Sequence, residues 1–330
     1  MIKTIIKTEL PIGEDFVIRK NVISNGKSGK RFCIVTGTHG DELEGQMVCY
    51  QMARLLQQHI EFLDGTVEIY PALNPLGIDT IQRGVPNFDL DMNRIFPGNE
   101  HGTMAEQTAF AICKDLKGAD MVLDIHSSNL YLRETPQVRI NVLNANELVP
   151  FACHLGVDFV WVHDAATVLE ATLAHSLNST GTRCLVVEMG VGQRINRRMC
   201  SHLTKGIFNL MSEMGIWKGT PELTDMNSSD LQRPIICQGD RVAFLNAACS
   251  GVFLTDMRTG KIVKEGQRIG SIVSPLTGET LQEVIAPVDG FLFTIRAYPI
   301  VNEGSLMARI FKYEPSEMEI VAAVSNTQQQ

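Results

Sequence analysis

None of the eight cysteines stands in a Cys-x-x-Cys pair. A metal site made of cysteines alone is therefore disfavoured. No apolar run reaches the roughly 18 residues that a membrane-crossing helix needs. The first ten residues, Met-Ile-Lys-Thr-Ile-Ile-Lys-Thr-Glu-Leu, lack the unbroken apolar core and small-residue cleavage site of a secretory signal. These absences lead to the expectation of a cytoplasmic protein with reduced thiols and no membrane partner. Positive charge is also scarce: 29 Lys and Arg stand against 37 Asp and Glu, a net charge of -8. Such a surface predicts no nucleic-acid partner, because phosphates need a basic patch. The densest basic run, Arg194 to Arg198, reads as a solvated helix face.

What is present is ordinary globular material. The chain has 330 residues, 44% hydrophobic and 20% charged, enough for a main domain with an appendage. From about residue 31 to 215, short apolar runs alternate with helical patterns. Residues 31–36, 66–73, 119–125, 138–143, 159–162 and 183–188 read as strands. Most are apolar on both faces, as strands covered by helices must be. Residues 42–60 carry apolar side chains at steps of three and four, and 103–116 opens with the capping-box pattern Thr-Met-Ala-Glu. Residues 146–155 and 197–214 also read as helices. This alternation predicts an α/β/α sandwich around a mixed, largely parallel sheet. Cys33 and Cys184 fall in apolar runs and read as buried thiols.

The pattern changes near Gly219. Residues 219–234 read as a linker, and the rest as strands with recurrent glycines. A weak repeat pairs Ser250-Gly-Val-Phe-Leu with Asp289-Gly-Phe-Leu-Phe, and Val-Lys-Glu-Gly266 with Val-Asn-Glu-Gly304. Two like β units predict a small all-β module, and the region resembles the barrel-sandwich of biotinyl and lipoyl domains. No Met-Lys-Met or Asp-Lys-Ala hairpin is present, so no covalently attached cofactor is expected. The expected division is a catalytic domain over 1–220, a β module over 235–318 and a tail over 319–330.

Four short pieces carry chemistry. Thr36-Gly-Thr-His39-Gly-Asp-Glu42 follows the first of these strands, and Asp124-Ile-His126 closes the strand 119–125. Ligands collect at the carboxyl ends of strands in α/β sheets. Two histidines and one carboxylate there make a zinc set with a fourth position left for water. Asp124 reads either as support for a ligand from behind or as a hydrogen-bonded strand end. The loop from Arg83 to Gly98 brings two arginines and an asparagine, groups that can grip a carboxylate or an oxyanion. Alternatively, Asp89, Asp91 and Arg94 read as stitches within the loop. Glu188, at the end of an apolar strand, is costly there unless paired or used as an acid–base group.

In this order, the four pieces resemble the succinylglutamate desuccinylase and aspartoacylase family, within the zinc carboxypeptidase fold. The resemblance spans most of residues 30–310. It implies that His39, Glu42 and His126 bind one Zn2+ per chain and that Glu188 is general base and acid. Arg83 would polarise the scissile carbonyl, and Asn93 and Arg94 would hold the substrate's carboxylate. Asp-Met92-Asn-Arg departs mildly from the family's usual Asp-Leu-Asn-Arg. The stretch from Arg83 to Asn93 is longer than in aspartoacylase, and the β-rich C-terminus resembles the bacterial deacylase branch. The expected activity is hydrolysis of a small N-acyl amino acid at its amide bond, with homo-oligomerisation left open. A metallocarboxypeptidase acting on peptides and a catalytically inactive zinc-containing binding protein are the two rival readings. His175 lies in the region before Glu188 that supplies substrate-side residues.

Overall fold

The computed structural model describes residues 1–86, 88–164, 170–220 and 233–327. The strands of the N-terminal two-thirds are β1 (Ile2–Glu9), β2 (Asp15–Asn25), β3 (Arg31–Thr36), β4 (Gly65–Tyr70), β5 (Met121–Ser127), β6 (Leu132–Asn141), β7 (Phe159–His163) and β8 (Cys184–Gly190). The helices are α1 (Glu44–Gln58), α2 (Pro75–Thr80), α3 (Met104–Leu116), α4 (Ala145–Ala152), α5 (Leu173–Asn178) and α6 (Arg197–Glu213). The strands align in the order β1-β2-β4-β3-β5-β8-β6.

Alternation along the central strands feeds two cores. Phe32 and Ile34 of β3 join Met121, Leu123 and Ile125 of β5 on the face covered by α1, α4 and α6. Cys33, Val35 and Val122 point to the other face, packed under α3 and α5. Both faces are thereby buried, as the three-layer reading requires. The capping box of α3 is formed as expected: the Thr103 hydroxyl accepts from Glu106 N, and Glu106 accepts from Thr103 N.

The sheet is mixed, as expected, but it is not largely parallel, which corrects that part of the expectation. β4, β3, β5 and β8 run parallel. However, β6 runs antiparallel to β8, and β2 antiparallel to β4. The hairpin β1–β2 lies ahead of the first expected strand and was not anticipated. β1 is mostly exposed, so no buried face marks its sequence.

The C-terminal third contains β9 (Ile235–Gln238), β10 (Val242–Asn246), β11 (Gly251–Leu254), β12 (Lys261–Val263), β13 (Arg268–Val273), β14 (Thr280–Ile285), β15 (Gly290–Arg296), β16 (Ile300–Val301), β17 (Leu306–Phe311) and the helix α7 (Met318–Thr327). The repeat seen in the sequence is structural. β11 pairs with β13, and β15 with β17, both antiparallel. The short strands are exchanged: β12 pairs with β15, and β16 with β11. Gly266 and Gly304 occupy equivalent turns at φ 79° and 81°, a conformation glycine adopts without penalty. The module is also hydrogen-bonded to the main sheet. β15 pairs with the first residues of β6, while β7 takes the later ones. No helix among the described residues is long and apolar enough to cross a membrane. Most of the expected linker, residues 221–232, lies outside the described residues.

One buried acid holds α1 to the end of β8. Glu44 is fully buried, accepts from Val191 N at 3.2 Å and pairs with the Ser127 hydroxyl. Gly190, at φ +67°, leaves it room, since any Cβ there would overlap the Glu44 carboxylate. Burial pushes the Glu44 carboxyl up from 4.5 to about 7. The fold therefore favours the protonated form. Its stabilisation is fully present below pH 4.5 and is lost as pH rises through about 7. In chelator-treated protein, Glu44→Gln should flatten this dependence and add about 1–3 kcal/mol at pH 8. Thermal unfolding at pH 5 and pH 8 measures it, and parallel pH curves for the two proteins would refute it.

Candidate metal centre and active-site cavity

β3 is flanked by β4 on one side and β5 on the other, so the chain changes direction across the sheet between β3 and β5. A crevice opens at such a point beyond the carboxyl ends of the strands. His39 and Glu42 lie in the loop between β3 and α1, and His126 is the penultimate residue of β5 rather than just past its end. The loop is pinned by Gly40, whose N–H donates to Gln82 O at 3.0 Å. A Cβ on Gly40 would lie 1.9 Å from the backbone of Gly77. Gly40 is thus required for close approach, whereas Gly37, at φ +69°, supplies the tight turn.

The three side chains meet. His39 Nδ1 is 2.7 Å from Glu42 Oε1, and His126 Nδ1 is 2.9 Å from Glu42 Oε2. The two Nδ1 atoms are 3.3 Å apart, and all three residues are buried. Ligands at about 2.0–2.1 Å from a tetrahedral zinc stand roughly 3.3 Å from one another. Two imidazole nitrogens facing each other across one carboxylate therefore fit a single cation, and these residues could hold a metal ion.

Their electrostatics agree. Burial opposes ionisation of Glu42, but both histidines outweigh it and hold the carboxyl far below its usual range. Burial likewise opposes protonation of His126, but Asp124 and Glu42 raise its pKa well above the ordinary value. The group favours added positive charge. Asp124 Oδ2 sits 3.1 Å from His126 Nε2, though the alignment is not that of a hydrogen bond.

Asp91 does more than stitch its loop. Its Oδ1 is 3.0 Å from His39 Nε2 and accepts from Asn93 N at 2.8 Å. Such an outer carboxylate orients a metal-binding imidazole. Arg83 reaches Glu42 Oε1 at 2.9 Å and Asp91 Oδ2 at 3.4 Å. Asn93 accepts from Leu173 N at 2.9 Å, and Arg94 donates to the Asn93 carbonyl at 2.8 Å. Glu188 of β8 stands in register with His126 of β5. Burial raises its carboxyl pKa, and the neighbouring Arg139 pulls it back.

His39, Glu42, Arg83, Asn93, Arg94, Asp124, His126 and Glu188 line one cavity of about 490 Å³, and His175 lines it too. Three further lining residues were missed by sequence reasoning: Glu134, Arg139 and Arg309. Arg139 and Arg309 each leave a trace there, as a charge inside an apolar strand pattern, whereas Glu134 leaves none. Cys33 and Cys184 are buried as expected, and burial pushes both thiols up.

A family model described as the succinylglutamate desuccinylase/aspartoacylase catalytic domain matches residues 28–214, more than half of the chain. The protein belongs to this family. It is accordingly an amide hydrolase acting on carbon–nitrogen bonds other than peptide bonds. A curated relative, N-alpha-acetyl-L-2,4-diaminobutyric acid deacetylase of Halomonas elongata, is 25% identical over 92% of this chain and 89% of its own. Among solved structures, the product-bound ectoine utilization protein of Ruegeria pomeroyi aligns with a TM-score of 0.78 at 21% identity, over 93% of each chain. A succinylglutamate desuccinylase/aspartoacylase from Rhodobacter sphaeroides aligns with a TM-score of 0.78 at 24% identity, over 94% of this chain and 96% of its own. At these identities the structural likeness establishes the fold.

Proposed function

We propose that this protein is a zinc-dependent deacylase that hydrolyses the amide bond of a small N-acyl amino acid. The observation that carries the reading is the convergence of His39, Glu42 and His126 in one cavity with Glu188 in register on the adjacent strand. His39 Nδ1, His126 Nδ1 and the Glu42 carboxylate would hold the ion. When bound, zinc supplies Lewis acidity, lowering the pKa of water toward about 7 and polarising a carbonyl.

The remaining steps fall to side chains. Glu188 accepts the proton of the attacking water and returns it to the leaving nitrogen. Its partner Arg139, 3.2 Å away, keeps the carboxylate oriented between the two transfers. Arg83, beside Glu42, assists the scissile carbonyl as charge builds on its oxygen. Arg94 and the free NH2 of Asn93 receive the α-carboxylate, a contact that favours free N-acyl amino acids over protein substrates. The relative's diaminobutyric acid derivative is a substrate of this chemical class. Cavity size supports a small ligand, since about 490 Å³ lies in the usual range for small-molecule sites. Arg309 of the C-terminal module lines the same cavity, which argues against a cleft open to long peptides.

Metal analysis with a panel of N-acyl amino acids tests the reading. The expected result is about one zinc per chain and amine release that a chelator abolishes and zinc restores. Release of C-terminal residues from peptides, with no action on the panel, would establish a carboxypeptidase instead. Bound zinc with no turnover of either class would leave the binding-protein reading.

A further inference from the structure

Four charged side chains on the cavity wall form a closed set. Glu134 of β6 is 1% exposed and accepts from Arg139 Nη2 at 2.7 Å, Arg309 Nη1 at 2.7 Å and Thr294 Oγ1 at 3.1 Å. Arg139 turns its other terminal nitrogen to Glu188 at 3.2 Å. Both guanidiniums lie over the Trp161 ring, at 5.9 and 5.5 Å from its centroid. Thr294 and Arg309 come from the C-terminal module, 160 and 175 residues beyond Glu134. Two positive and two negative charges cancel, and each carboxylate is already engaged.

The other cations of the cavity are unequal. Arg83 is engaged by Glu42 and Asp91. Among the described lining residues, Arg94 is the guanidinium whose side chain meets only a backbone carbonyl, that of Asn93. With the zinc site and Arg83 assigned to the scissile carbonyl, the cavity thus offers one further guanidinium, that of Arg94, to a substrate carboxylate. An N-acyl amino acid always brings one α-carboxylate. A second carboxylate, on the side chain or the acyl group, would have to displace Glu134 from its arginines. Stripping a buried charge of its partners is strongly unfavourable.

We infer that Glu134 sets specificity: by engaging Arg139 and Arg309 it withholds both from the substrate, so the enzyme takes N-acyl amino acids with one carboxylate and rejects those with two. This inference rests on the deacylase reading above. It also gives the C-terminal module a task, since Arg309 and Thr294 help fix Glu134 in place.

Isosteric substrate pairs isolate the charge. N-acetyl-L-asparagine is compared with N-acetyl-L-aspartate, and N-acetyl-L-glutamine with N-acetyl-L-glutamate, on the zinc-loaded full chain. The wild type should favour the amide member by at least about tenfold in kcat/KM. Glu134→Gln frees Arg309, and the amide-to-acid ratio should fall by about tenfold or more. Arg309→Gln leaves Glu134 in excess, and the ratio should stay or rise. A purely structural role would lower all four substrates together and move neither ratio. Circular dichroism verifies folding, and the wild-type ratio stands even where a variant does not fold. Equal rates within the wild-type pairs, or the same direction of shift in both variants, would overturn the role of Glu134 while leaving the deacylase reading intact. Hydrolysis of no compound in a wider N-acyl panel would overturn the deacylase reading, and this inference with it.

Discussion

Replacing Glu188 by Gln should reduce kcat by about 10³-fold, within the 10²–10⁴ range typical of a lost acid–base group. Zinc content should be unchanged. Gln keeps the shape of the side chain and can still accept from Arg139 Nη1, which now lies 3.2 Å from Glu188 Oε1. What it loses is the capacity to carry a proton. The loss should fall on kcat, with KM little altered, because Glu188 is separate from the Asn93–Arg94 pair proposed for the α-carboxylate. Single-turnover kinetics with a zinc measurement on the same sample makes the check. Activity within threefold of wild type would remove Glu188 from the mechanism.

The second large effect concerns the ion itself. His126→Ala should lower bound zinc from about one per chain to under a tenth, with hydrolysis falling to background. No other side chain can take its place, because among the described residues His39, Glu42 and His126 are the group that could hold a metal ion. A ligand that binds only the folded protein stabilises it by about 4 kcal/mol at a thousandfold excess over its Kd. Adding zinc to the chelator-treated wild type should therefore raise its melting temperature by several degrees, and the same addition should leave His126→Ala unmoved. The thermal comparison reads binding independently of activity. A normal zinc-induced rise in the variant would show that the ion sits elsewhere.

The parts of this site that were legible in the sequence are the ones written locally. His39 and Glu42 are three residues apart after an apolar strand, and His126 ends another, so the rule about strand ends places them together. Glu134 and Arg309 are 175 residues apart, and no local pattern links a glutamate in one strand to an arginine in another. Only the pairing of β15 with β6 brings them into contact. The direction of the strands was misread for a related reason. Val138 and Ile140 mark β6 as a strand packed under a helix, and such strands are most often parallel. Periodicity reports burial, not direction, and β6 runs antiparallel to β8 while still covered. The role of Asp91 was hidden because one carboxylate at a turn reads the same whether it caps a loop or supports an imidazole.

Two like units that trade a strand have the geometry of a domain-swapped dimer, here written in a single chain. β12 belongs to the first unit but completes the second, and β16 does the reverse. Such partners never dissociate by dilution, because the connecting chain keeps their effective concentration high. The two units also differ in what they face. Arg309 on β17 enters the cavity, while Ser271, 38 residues earlier on β13, lies on the separate four-stranded sheet. One half of the pair closes the module on itself. The other reaches into the catalytic half of the protein and supplies a wall of its pocket.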